Sequence, residues 1–170
     1  TTQGASSTGG EVGALVLFID YRCPYSGRLL QMVQAFNNAL GGAYSLTLLN
    51  FPMPEIHPLA METARLALCG AHAMKFGSTL GFLFGPQYRQ ESVDIDAFCK
   101  ALGLQTCDDM KACIGNKKTT AAAKRERKLG EKAGVRGTPA LFIDGRKITP
   151  QAGGFSVPFL SDIANRYFLR

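Results

Sequence analysis

No apolar run in the 170-residue chain approaches the roughly 20 residues that cross a bilayer as a helix. The longest, Ala14 to Ile19, has the length of a strand, so no helical membrane insertion is expected. A basic opening followed by an apolar stretch is also missing. Any secretory signal is therefore expected to have been removed. Residues 1–10, composed mostly of Thr, Gly, Ser, Gln and Ala, read as a flexible leader. Only two histidines occur, His57 and His72, and neither stands at a zinc-like spacing from a cysteine. Cys69, Cys99, Cys107 and Cys113 form no Cys-x-x-Cys pair, so neither a metal site nor a bound cofactor is implied. Acidic residues are the minority, 13 against 19 basic, giving a formal net charge of +6. The densest basic run, Lys117, Lys118, Lys124, Arg125, Arg127 and Lys128, has no interleaved aromatic residue to stack on bases. It reads as the solvated face of a helix, and nucleic acid is not an expected partner.

What is present is a single domain's worth of core: 46% hydrophobic and 19% charged residues. Residues 14–19 are continuously apolar, as in a strand covered on both faces. Leu29, Leu30, Met32, Val33, Phe36 and Leu40 then recur at helical spacing until Gly41-Gly42 stops the pattern. A second strand, 44–50, is predicted to lie parallel to the first because a helix intervenes. After the Pro-rich loop 51–58, helices are predicted near 59–76, 78–90, 93–102, 107–115 and 117–133, punctuated by Gly70, Gly77, Gly85-Pro86, Gly103 and Gly115. Ala140 to Ile143, the turn Asp144-Gly145 and Arg146 to Ile148 read as a hairpin. Ser156 and Pro158 open a terminal amphipathic helix. The order is β-α-β, a helical block, then β-β-α, without internal repeats.

This order puts Cys23 at the carboxyl end of a central strand and the amino end of a helix, where ligands and chemistry gather in α/β sheets. Unpaired first-turn amides and the helix dipole both favour a thiolate there, and the thiolate is the nucleophile. Arg22 and Arg28 are placed to add to that effect, and Pro24 suits the first helical turn. Taken alone, a buried structural cysteine is the more ordinary use of the residue.

The segment Phe18-Ile-Asp-Tyr-Arg-Cys-Pro-Tyr-Ser26 resembles the active-site segment of DsbA-like proteins, in which Cys-Pro-Tyr-Cys follows a strand and an Asp-Tyr pair. Gly134-Val-Arg-Gly-Thr-Pro139 resembles the same family's Gly-Val-x-Gly-Thr-Pro segment. The likeness covers roughly residues 12–168. It implies an α/β thioredoxin fold, a central mixed sheet with an inserted helical domain: residues 11–54 and 134–170 as its two halves, 55–133 as the insertion. It further implies thiol-disulfide exchange with Cys23 as nucleophile, and a cis Thr138-Pro139 facing it. Pro24, Tyr25, Thr138 and Pro139 would contact substrate. The partners implied are protein substrates bearing cysteines, with room for a membrane redox partner, in the periplasm or another extracytoplasmic space.

Two departures qualify that reading. Position 26 is Ser where the resolving cysteine would stand, so the chain is not expected to cycle as a dithiol enzyme. An engineered Cys-to-Ser exchange that traps intermediates and a natural monothiol both fit. Restoring a cysteine at 26 would bring the total to an even six, which favours the first. Leu17 occupies the place six residues before Cys23 where DsbA-like oxidases commonly carry a buried acid, which favours the second. The four other cysteines are expected either as Cys69–Cys113 with Cys99–Cys107, because the latter two flank a short turn, or as buried thiols packing helices. His57 is accounted for as ordering a helix start, without a catalytic role. Met53, Met61, Phe82 and Phe84 suit core packing, with an apolar peptide groove as the alternative. The other functional classes left open are a thioredoxin-fold chaperone with an incidental thiol and a glutathione-linked monothiol protein.

Overall fold

A computed structural model of the chain describes residues 2–3, 13–85, 92–150 and 154–167. Its sheet has the order β1-β3-β2-β4-β5, with β1 Thr2–Gln3, β2 Gly13–Ile19, β3 Tyr44–Asn50, β4 Ala140–Ile143 and β5 Arg146–Ile148. β2 runs parallel to β3, as the intervening helix requires, and antiparallel to β4, which in turn pairs antiparallel with β5. Asp144 (φ 46°) and Gly145 (φ 78°) make the tight turn between β4 and β5 in the left-handed backbone that a two-residue hairpin demands. One correction falls at the start of the chain. Thr2–Gln3 pair antiparallel with Thr47 and Leu46, using the free edge of β3, where a leader without secondary structure is expected. Thr1 and residues 4–10 of that leader lie outside the described residues.

Seven helices are described: α1 Pro24–Ala39, α2 Ala60–His72, α3 Phe76–Leu83, α4 Ile95–Ala101, α5 Asp108–Gly115, α6 Lys117–Lys132 and α7 Val157–Tyr167. The strand alternation divides the core. Leu15, Leu17 and Ile19 of β2, with Leu141 and Ile143 of β4, join the larger cluster, which also takes in Leu29, Val33, Phe36 and Leu160 from helices. Phe18, Ala140 and Phe142 point the other way, into a smaller cluster completed by Phe51 and Val135. Leu17, at the position where the family's acid is absent, is fully buried in the larger cluster. Gly130 lets α6 approach the smaller one, because a Cβ there would sit 2.6 Å from Phe51 Cδ2 and 2.9 Å from Phe18 Cδ1.

The helical block departs from expectation at one place. A single helix over 59–76 is predicted, yet α2 ends at His72 and α3 begins at Phe76. The stop is a paired-carbonyl cap: Met74 takes φ 58°, its N–H donates to Ala71 O, and the Lys75 N–H donates to Gly70 O. Glycine normally fills that left-handed position, as Gly103 and Gly134 do after α4 and α6. Gly70 is not a stop but lies inside α2, where any side chain would collide with Thr79 of α3. The predicted helix over 78–90 corresponds to α3, and its residues 86–90 lie outside the described residues.

Two disulfides staple the block: Cys69–Cys113 joins α2 to α5, and Cys99–Cys107 joins α4 to the start of α5. They close loops of unequal length, with sequence separations of 44 and 8. Chain-entropy scaling assigns about 4 kcal/mol to the longer closure and about 2.5 kcal/mol to the shorter. Urea unfolding of C69S/C113S and C99S/C107S should show the larger loss for the first pair.

Candidate active site around Cys23

Cys23 caps α1 in an extended conformation (φ −81°, ψ 120°), with Pro24 opening the first turn. Its N–H donates to Asp20 O at 3.0 Å, and its carbonyl accepts the Ser26 N–H at 3.1 Å. The sulfur turns toward the far loop, where Sγ donates to Thr138 O at 3.3 Å, and the Thr138–Pro139 peptide bond is cis. Two sequence expectations change here. First-turn amides do not bond the sulfur: the Cys23 side chain makes no capping hydrogen bond. Nor is Cys23 exposed; only 6% of its surface is open, and its sulfur lies against the Thr138 carbonyl.

The other candidate residues separate by depth. Pro24 and Tyr25 lie on the surface, Tyr25 with 63% exposure, and the Arg28 guanidinium stands 6.0 Å from the Tyr25 ring centroid, drawn to its π face. Thr138 and Pro139 are half-buried. Ser26 is fully buried, its Oγ accepting the Asp20 N–H at 3.3 Å. Ser26 thus ties the loop before Cys23 to the helix after it.

Asp20, which the motif alone does not single out for a role, organises the site. Its side chain is fully buried, so its oxygens must find donors within the protein. Oδ1 accepts the Arg22 N–H at 2.8 Å, while Oδ2 accepts the Met53 N–H at 2.9 Å and stands 2.9 Å from His57 Nδ1. Because Oδ2 acts as acceptor, the shared proton is assigned to Nδ1. His57, expected only to order a helix start, therefore braces the active-site loop. Met53 carries the connection onward, its Sδ accepting from Thr138 Oγ1 at 3.8 Å. Segments 20–23, 51–57 and 135–139 are held together through this chain of contacts.

Helix α6 fastens the middle segment from outside. Glu126 Oε2 accepts the Asn50 N–H at 2.7 Å and the Asn50 side-chain amide at 2.6 Å. Arg127 donates to Pro52 O at 2.8 Å, forks onto both Glu55 oxygens at 3.1 and 2.8 Å, and lies over the Phe51 ring. That fork holds the Glu55 carboxyl below its ordinary range. Tyr21 is buried beside the site, and loss of solvent, with the Glu126 charge adding to it, pushes its phenol far above the ordinary value. Among the described residues no group of three or more His, Cys, Asp or Glu side chains is placed to hold a metal ion.

The family model described as Thioredoxin matches residues 8–153. The chain belongs to the thioredoxin family. Solved structures agree in fold. A thioredoxin-like oxidoreductase from Silicibacter pomeroyi is similar with TM-score 0.72 and 22% identity, over 91% of this chain and 85% of that one. The thiol-disulfide exchange protein alpha-DsbA2 of Wolbachia pipientis gives 0.72 and 18% over 97% and 85%. A periplasmic thioredoxin-like protein from Salmonella enterica serovar Typhimurium gives 0.70 and 22% over 97% and 87%. Curated relatives named Na(+)/H(+) antiporter NhaA 1, from Mycobacterium strains, are 25% identical over 78% of this chain. The chain spans only 22% of their length, and no helix among the described residues is long and apolar enough to cross a membrane.

Two outcomes are expected from this family member's site. Asp20→Asn turns one acceptor into a donor facing backbone N–H groups and should cost about 2–4 kcal/mol, against about 1 kcal/mol for His57→Ala at a partly exposed partner. Urea midpoints at neutral pH check the order. The raised Tyr21 phenol contributes stability that is complete below its unfolded value of about 10 and is lost as pH rises beyond it. Tyr21→Phe should flatten the fall in unfolding midpoint across that alkaline range.

Proposed function

We propose that the chain exchanges thiols and disulfides with cysteines of protein substrates, with Cys23 as the nucleophile. The observation that supports this best is the placement of Cys23 Sγ at the mouth of α1, 3.3 Å from the Thr138 carbonyl. A substrate strand laid along residues 137–139 can offer its own N–H to that carbonyl, replacing the thiol as donor and leaving the Cys23 sulfur beside the substrate's disulfide.

In the first step the Cys23 thiolate attacks one sulfur of a substrate disulfide. A Cys23–substrate S–S bond forms as the substrate's own S–S bond breaks, and the departing thiolate takes a proton from water. Ser26 cannot displace the substrate in the second step, because its hydroxyl is a far poorer nucleophile than a thiolate and is engaged with the Asp20 amide. Resolution then falls to an outside thiol, from another cysteine of the substrate or from a membrane redox partner. The result is the same whether the serine is natural or stands in place of an original cysteine. The two disulfides of the helical block suit an extracytoplasmic, periplasm-like compartment.

A second reading is favoured by the low exposure of Cys23: a thioredoxin-fold peptide-binding module whose thiol is incidental. Non-reducing electrophoresis with a disulfide-bearing client protein separates the two. The parent chain should form one covalent adduct per molecule that persists until glutathione is added, Cys23→Ala should form none, and Ser26→Cys should release client about 100-fold faster through an intramolecular thiol. Client binding that survives Cys23→Ala, with no adduct from the parent, would establish the binding module instead.

A further inference from the structure

The smaller core leaves a cavity of about 540 Å³ open between α6, the 51–55 loop and the 135–136 segment. Its floor is apolar: Phe51, Met53 and Val135. Its rim carries four cations and two carboxylates, but they do not cancel evenly. Arg127 already engages both Glu55 and Glu131. Lys128 and Lys132, one helical turn apart, have no carboxylate partner among the described residues. Arg136 spends its guanidinium only on the Glu131 and Val135 carbonyls. The rim therefore presents net positive charge above a greasy floor.

Two contacts link the cavity floor to the reactive sulfur. Met53 forms part of its floor and accepts the Thr138 hydroxyl, and the Thr138 carbonyl accepts the Cys23 thiol. Arg136 stands two residues before Thr138, so a chain drawn along the 136–138 segment passes from the rim directly to Cys23.

We propose that this cavity is a specificity pocket for the client polypeptide, accepting an apolar side chain next to the client's reactive cysteine and carboxylates that meet Lys128, Lys132 and Arg136. Charge complementarity argues for an acidic client segment and against a second copy of this chain, which carries a formal +6. The inference rests on the exchange reading above and adds the client's chemistry to it.

The test uses short peptides whose single cysteine is activated as a mixed disulfide with nitrothiobenzoate. Attack by the Cys23 thiolate on the peptide sulfur forms the Cys23–peptide bond and releases coloured nitrothiobenzoate, so each rate is read directly. One peptide flanks the cysteine with Leu and Glu, its twin with Leu and Lys, and a third replaces Leu by Ser in the acidic context. At low salt the Leu/Glu peptide should react on the order of tenfold faster than the Leu/Lys twin and severalfold faster than the Ser version. K128E/K132E/R136E should invert the charge preference, and high salt should erase it. Rates are scaled to that of the nitrothiobenzoate dimer, which probes Cys23 without a flanking chain.

Equal rates for all three peptides in the parent, with the small disulfide reacting normally, would overturn the pocket and leave the exchange reading standing. A charge preference unchanged in the triple variant would do the same. No reaction with any peptide or with the small disulfide would remove the exchange reading itself, and the pocket with it. Self-association of the parent that hides the cavity would assign it to a second copy and overturn the proposal.

Discussion

A carboxylate with no exposure to water is the constraint around which this site is arranged. Asp20 directly follows the central strand β2 and must satisfy both oxygens inside the protein, which it does with the Arg22 and Met53 amides and the His57 ring. Each donor belongs to a turn or loop outside the regular elements. Satisfying one buried group therefore sets the spacing between the turn that carries Cys23 and the loop that carries Met53. The cis Thr138–Pro139 segment joins through weaker contacts, a hydroxyl on a thioether and a thiol on a carbonyl. The rigid part of the site is thus built on Asp20, and the Thr138–Pro139 side is held more lightly.

Helix α6 supplies the outer half of the arrangement. Gly130 brings it against Phe18 and Phe51, Glu126 grips the end of β3, and Arg127 grips the loop that follows. The cap after α6 donates the Val135 N–H to Gly130 O and turns Val135 into the smaller core. From there the chain runs directly to Thr138. The basic run that reads as a solvated face is therefore only partly so. Arg127 is a structural clamp, and Lys128 stands on the rim of a cavity whose floor includes Met53, the residue that contacts Thr138.

Much of this was legible from residue order because it depends on local chemistry. The apolar run ending at Ile19, the helical spacing after Cys23 and the Gly41-Gly42 stop are all properties of neighbouring residues, as is the Asp144-Gly145 turn. Ser156, expected as a cap, accepts the Phe159 N–H at 3.2 Å. The break between α2 and α3, expected at Gly77, falls instead at Met74 for the complementary reason. Its left-handed position is held by Met74, a residue type that does not announce a stop, and the turn serves the contact of Gly70 with Thr79 nine residues away.

The sequence by itself determined that a cysteine sits between a strand and a helix, and its motifs pointed to the thioredoxin family. Tertiary structure alone decided what surrounds that cysteine. The contact of Thr138 with the sulfur, the capture of His57 by Asp20 and the meeting of α6 with the 51–55 loop all join residues 37 to 115 positions apart. No periodicity or local propensity encodes such contacts. They follow from burial, which requires that polar groups brought together inside the fold find their partners in one another.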